Sequence, residues 1–188
     1  IVTVDCGISQ VDACRDAVAA GVEVVITDHH QITESTPAEA SAIVNPELDG
    51  TPEPLRHLCG AGVAFKLAHQ LARKGLSVED GRALVNKLLP LAAIGTVADL
   101  VPLVGENRII VARGLALING NSREHNVGID GLKRTARIGK ATSETVGFAL
   151  ATRINAAGRV GDPNTAVALL NARSRTDAVR FARQLEID

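Results

Sequence analysis

Three groups of side chains in this 188-residue chain carry more chemistry than a folded core requires. Asp28-His29-His30 follows the apolar run Val22 to Thr27 directly, so a carboxylate and two imidazoles stand where a buried strand would end. Asp5-Cys6-Gly7 occupies the same position after Ile1 to Val4. Carboxylate oxygen and imidazole nitrogen on one ion suit Mn²⁺, Zn²⁺ or Fe²⁺, and with further oxygens Mg²⁺. Adjacent strands lie about 4.8 Å apart, so residues at neighbouring ends can share a cation. An Asp at a strand end equally serves to cap the next helix, and Asp-Cys-Gly alone fits either use. Asp99 is the third element, a single carboxylate in the apolar stretch Leu91 to Leu103. No basic residue lies between Leu88 and Val104, so its partner, a metal or an arginine, comes from elsewhere in the fold.

The elements that must position these groups alternate in the first half. Strands are expected at Ile1 to Val4, Val22 to Thr27 and Ala42 to Val44, short and apolar as in a parallel sheet buried on both faces. Ser9 with Asp12 forms a capping-box pattern for a helix reaching about Ala20, with Gly21 just past its end. A loop with Pro46, Pro52 and Pro54 precedes a helix over Gly62 to Lys74. Ser77 starts the next helix, with Glu79 and Asp80 in its first turn and Pro90 expected to kink it. Helices are predicted at 107–119, 128–137, 142–152, 163–171 and 175–187, with a turn at Asn119-Gly120-Asn121-Ser122. The fold class is therefore α/β: a parallel β-sheet flanked by helices, with a mostly helical C-terminal half. In such a sheet ligands bind beyond the carboxyl ends of the strands, where Asp5 and Asp28 stand.

Composition narrows the function. Hydrophobic residues at 46% and charged residues at 22% exclude a disordered or fibrous chain. No apolar run approaches the roughly 20 residues that cross a bilayer, so no membrane association is expected. Cys6, Cys14 and Cys59 show no CxxC spacing, which argues against a disulfide scaffold or zinc ribbon and for a reducing, cytoplasmic setting. Residues 1–100 hold 7 Lys/Arg against 13 Asp/Glu, and residues 101–188 hold 13 against 8. An acidic half able to hold cations thus precedes a basic half able to hold phosphates, unless both are ordinary solvated faces. With three Phe and no Tyr or Trp, ring stacking cannot be the main grip on a nucleic-acid strand.

Asp5-Cys6-Gly7, Asp28-His29-His30, Cys59-Gly60-Ala61-Gly62-Val63-Ala64-Phe65-Lys66-Leu67 and Gly95-Thr96-Val97-Ala98-Asp99 resemble successive motifs of the DHH phosphoesterase superfamily. Glu106-Asn107-Arg108 and Arg153-Ile154-Asn155-Ala156-Ala157-Gly158-Arg159 resemble its RecJ-type branch, the single-strand-specific DNA exonucleases. The resemblance runs from residue 1 to about 188 in the family's order. It implies 5′→3′ hydrolysis of single-stranded DNA to mononucleotides in repair and recombination, at a two-metal centre using Mn²⁺ or Mg²⁺. It implies that Asp5 bridges the ions, that His29 and Asp99 complete one shell, and that Asp28 orients the imidazole from behind. His30 would face the scissile phosphate as donor or acid, and Arg153, Asn155 and Arg159 would contact phosphate. Gly60 and Gly62 would let backbone N–H groups approach a phosphate. Single-stranded DNA, a single-strand-binding protein and a repair helicase are the implied partners.

The family pattern also has an Asp-x-Asp motif upstream and, downstream, a Gly-Gly-His domain and an OB-type domain. The chain opens in an apolar run, contains no Met and ends in a helical pattern, so it is expected to be a segment with weak metal binding and little hydrolysis. Residues 1–104 would be the α/β metal part, 105–174 the helical part, and 175–188 the start of a connecting helix. Thr152 stands where the family has Pro, which unsettles the local turn. His57, His69 and His125 are read as surface or interfacial, and Arg173, Arg175, Arg180 and Arg183 as a solvated face. Two rivals remain. One is a DHH enzyme for short oligonucleotides, cyclic dinucleotides or pyrophosphate, against which the Arg153–Arg159 segment argues. The other is a non-catalytic scaffold, against which the retained Asp5, His29 and Asp99 argue.

Overall fold

The three apolar runs pair side by side. In the computed structural model, which describes residues 1–32, 35–120 and 126–187, strands β1 (Val2–Val4), β2 (Val25–Thr27) and β3 (Ala42–Val44) form a parallel sheet in that order. Val4 pairs with Thr27 and Thr27 with Val44, so the strands end level and their successors emerge along one edge. β2 starts later than its hydrophobicity predicts, because the Val22 N–H is taken by Ala17 O in the preceding turn. The sheet is not buried throughout as expected. Ile26 of β2 is 1% exposed, but Val2 and Val4 are 57% and 52% exposed, β1 standing at the edge of the sheet among the described residues.

Helix α1 (Val11–Ala19) packs Cys14, Ala17 and Val18 beneath Val24, Ile26 and Ile43. The Ser9–Asp12 capping box does not form. Gly7, at φ 114°, turns the chain so that Gln10 becomes the N-cap without a side-chain bond, and Asp12 pairs with Arg15 instead. Helix α2 (Gly60–Gly75) begins two residues early, because the Cys59 thiol caps it by accepting from Gly62 N at 3.4 Å. Helix α3 (Val78–Ala98), capped by Ser77, runs through the buried Pro90 without interruption and ends on Asp99.

Helices α4 (Gly105–Asn119) and α5 (Val127–Thr135) follow close to expectation. The helix predicted over 142–152 is instead a short turn α6 (Ser143–Thr145), a π-helical turn over Val146–Ala151, and then α7 (Thr152–Val160). No break occurs at Thr152, whose hydroxyl donates to Phe148 O at 2.7 Å inside the helical segment. Helices α8 (Pro163–Leu170) and α9 (Arg175–Ile187) complete the chain. His125 and the Asn121-Ser122 part of the expected turn lie outside the described residues.

The larger core gathers Ile94 and Val97 of α3, Val111 of α4, Leu132 of α5, Leu150 and Leu169, the last three at 0% exposure. A second core joins Val63 of α2, Leu89 and Ala93 of α3, and Ile110 of α4. Thus α3 belongs to both and carries Asp99 at its end. No described helix is long and apolar enough to cross a membrane.

Candidate metal centre

Asp5 leaves β1 in the left-handed region, at φ 62°, a conformation Asp tolerates better than most side chains. Its N–H donates to Thr27 O at 2.9 Å, which holds the residue to the sheet edge. The N-terminus of α2 comes up against its carboxylate. A Cβ on Gly60 would overlap Asp5 Oδ1, so only glycine permits this approach.

Asp28 is 1% exposed and fully engaged. Its Oδ1 accepts from His29 N at 2.7 Å, His30 N at 3.2 Å and His30 Nδ1 at 2.7 Å, while Oδ2 accepts from Ile8 N at 3.0 Å. Burial pushes this carboxyl upward, but the bonds from Ile8, His30 and His29 together outweigh it and hold the pKa below the ordinary 3.8. The imidazole that Asp28 orients is that of His30. The charge-assisted bond from Asp28 raises the His30 pKa and leaves Nε2 directed away from the carboxylate on a largely exposed ring. The loop is also tied from its other side, because buried Asn45 donates to His30 O at 3.0 Å.

His29 sits between two carboxylates. Its Nε2 lies 3.0 Å from Asp5 Oδ1 and its Nδ1 lies 3.7 Å from Asp99 Oδ2. An ion seated between the ring and these carboxylates would meet nitrogen and oxygen donors together, the set that suits a divalent cation. Asp5, His29 and His30 also bring one ligand atom each to within 4.8 Å of one another. Asp99 differs from expectation in being 43% exposed at its side chain. The apolar run before it is the buried face of α3, and the helix end turns the carboxylate out towards His29 rather than into the core. Asn107 helps fix this end, its Nδ2 donating to Pro102 O at 3.0 Å and to His57 O at 2.6 Å.

Asp5, Gly60, Ala61, Gly95, Asp99 and Asn155 share the wall of a cavity of about 220 Å³. The Arg153–Arg159 segment reaches it with one face only. Asn155 and Arg159 are one turn apart on α7, whereas Arg153 is about 200° away from Asn155 around the axis. Asn155 and Arg159 are exposed. Arg153 instead donates to Glu186 of α9 at 3.2 Å and to Ala149 O at 2.9 Å. Gly62 contributes its N–H to the Cys59 cap. Asn45, Cys59 and Asn107 were not singled out from sequence as positioning groups. Their common signal is a polar atom buried beside apolar neighbours.

Comparison with known proteins bears on this arrangement directly. Residues 1–96, which include Asp5, Asp28, His29, His30 and Gly60, match the model of the DHH family, N-terminal domain. The chain belongs to the DHH family. Among DHH relatives, it is 42% identical over 188 residues to the single-stranded-DNA-specific exonuclease RecJ of Bacillus subtilis (strain 168), covering 99% of this chain and 22% of that protein. Solved RecJ structures match 99% of the chain. RecJ from Thermus thermophilus in complex with Mn²⁺ gives a TM-score of 0.81 at 36% identity, with 27% of that chain covered. The same organism's RecJ in complex with Mg²⁺ gives 0.72 at 33% identity, with 24% covered. The parallel sheet with its helical second half is thus the fold of these DHH proteins, and the chain spans about a quarter of their length.

Proposed function

We propose that this chain is the metal-holding part of a phosphodiester hydrolase, a 5′→3′ exonuclease that degrades single-stranded DNA to mononucleotides in repair and recombination. The observation that carries the reading is the His29 ring set between Asp5 and Asp99 at 3.0 and 3.7 Å. The similarity to single-strand-specific exonucleases, one of them solved both with Mn²⁺ and with Mg²⁺, supports the substrate and the ion.

Asp5, His29 and Asp99 would hold Mn²⁺ or Mg²⁺ in a two-metal centre. When bound, such ions supply Lewis acidity to a phosphoryl group and a water nucleophile at neutral pH. The chain's own groups do the rest. Asp28 fixes the His30 ring through Nδ1, so that Nε2 can donate to a phosphate oxygen or leaving group. Asn155 and Arg159 bind phosphate on the cavity side of α7, and the Gly60-Ala61-Gly62 turn brings the positive end of α2 alongside. Arg153 reaches a phosphate only by releasing Glu186. On this reading residues 1–104 are the metal part, 105–174 the phosphate-binding helical part, and 175–188 the start of a connector. The protein works in the cytoplasm with a single-strand-binding protein and a repair helicase.

The test is degradation of end-labelled oligo-dT by the full-length protein in Mn²⁺. Mononucleotides should appear from the 5′ end, and Asp5→Ala or His29→Ala should abolish them. Wild-type turnover in either variant refutes the ligand assignment, and preference for a dinucleotide over a long strand refutes the exonuclease reading.

A further inference from the structure

The chain contains three Phe and no Tyr or Trp. Phe65 and Phe181 pack against the two larger cores, as large apolar side chains should. Phe148 does not; it is 80% exposed. It projects from the π-helical turn Val146–Ala151, while Val146 and Leu150 of the same turn are buried in the core at 0% exposure. Pi-helical turns are rare and concentrate at functional sites, because the extra residue redirects a side chain at the cost of backbone geometry.

The position of that ring is tied to the metal centre from two directions. Gly147, its neighbour, lies against Val97, such that a Cβ on it would sit 3.5 Å from Val97 Cγ1, and Val97 is two residues before Asp99. In the other direction the helical segment leads from Phe148 to Asn155 in the cavity wall, about 10 Å along the axis at 1.5 Å per residue. Phe148, Thr152, Asn155 and Arg159 follow one another at spacings of four, three and four residues, and all four are exposed. They make a single outward stripe with a ring at one end, an amide at the cavity and a guanidinium at the other end.

Resting on the nuclease reading above, we propose that Phe148 is a stacking platform for a base of the single-stranded substrate, holding the strand while Asn155 and Arg159 take its phosphates. A ring beside a phosphate-binding stripe is the combination by which proteins hold single strands without regard to sequence, because every base offers a π face. Duplex DNA keeps its bases stacked inward and cannot use such a platform, so Phe148 also contributes to strand selectivity.

The test uses Phe148→Trp and Phe148→Ala in the full-length protein, with EDTA present to prevent hydrolysis. Fluorescein-labelled oligo-dT reports binding by anisotropy, and the Trp emission, taken as the difference from wild type, reports contact with a base. Saturable quenching in Phe148→Trp is expected, with binding about ten-fold weaker in Phe148→Ala, the order of one lost base–aromatic stack. Removing the three bases nearest the 5′ end of the oligonucleotide should weaken wild type by the same factor and leave Phe148→Ala unchanged. Unquenched emission together with wild-type affinity in Phe148→Ala overturns the proposal and leaves the nuclease reading intact. A fall in melting temperature with unaltered DNA affinity in Phe148→Ala also overturns it, by making the ring a packing residue. A wild-type protein that neither binds the oligonucleotide nor degrades it in Mn²⁺ removes both readings together.

Discussion

Gly60 and Asp5 meet so closely that the hydrogen of one and the carboxylate oxygen of the other leave no room for a methyl group between them. The contact locks the start of α2 to the end of β1, two elements separated by more than fifty residues in sequence. Gly60→Ala should therefore displace the carboxylate. Overpacking of this kind costs about 1–3 kcal/mol, and a larger loss is expected in Mn²⁺ affinity, measured by isothermal titration calorimetry. Gly62→Ala meets the flexible end of Leu58 at 3.1 Å and should be the milder change.

Metal should act as a stabilising ligand. At a concentration about a hundred times its Kd, an ion that binds the folded state alone adds about 2.7 kcal/mol, which for a chain of this size is about 5–10 °C in Tm. Differential scanning calorimetry with and without Mn²⁺ measures it, and Asp5→Asn should erase the difference.

Asp28 makes stability depend on acid. Its pKa is lowered in the folded state, so its contribution is complete above the ordinary value of 3.8 and disappears as pH falls through the depressed folded value. Asp28→Asn should cost about 2 kcal/mol at pH 7, the scale of hydrogen bonds to a buried charge. The gap between the two proteins in urea unfolding should widen as pH falls from above the raised His30 pKa to below its ordinary 6.5, where the Asp28–His30 pair gains its proton, and narrow below about pH 3.8.

The two sides of α7 should separate in kinetics. Asn155→Ala should raise KM for oligo-dT with little change in Tm, because its side chain is exposed in the cavity wall. Arg153→Ala should lower Tm, since it removes a partly buried tie to Glu186 and Ala149 O worth about 1 kcal/mol. Equal effects of the two on KM would show that Arg153 leaves Glu186 when the strand binds.

Much of the site was legible because its signals are local. Asp28-His29-His30 after a buried strand and Asp5 at a neighbouring strand end need only the parallel sheet to meet, and three apolar runs specify that sheet. Asp99 was legible as unusual but not as exposed, because an apolar run looks the same whether it is a buried strand or the inner face of a helix. The split of the Arg153–Arg159 segment depends on the helix continuing through Thr152, and the π turn before it has no sequence signal at all. The thiol cap on α2 was missed for a simpler reason: serine, threonine, asparagine and aspartate are the side chains expected in that place.

The 21 residues of α3 make a rod about 31 Å long, wedged in both large cores, with Asp99 at its tip. A tilt of about 2° about its far end would carry the tip about 1 Å, and a misplacement of that size can cost a hundredfold in rate. Volume changes around Leu89 or Ala93, far from any reacting atom, are therefore levers on turnover, and a screen of packing variants should find slow but well-folded proteins among them.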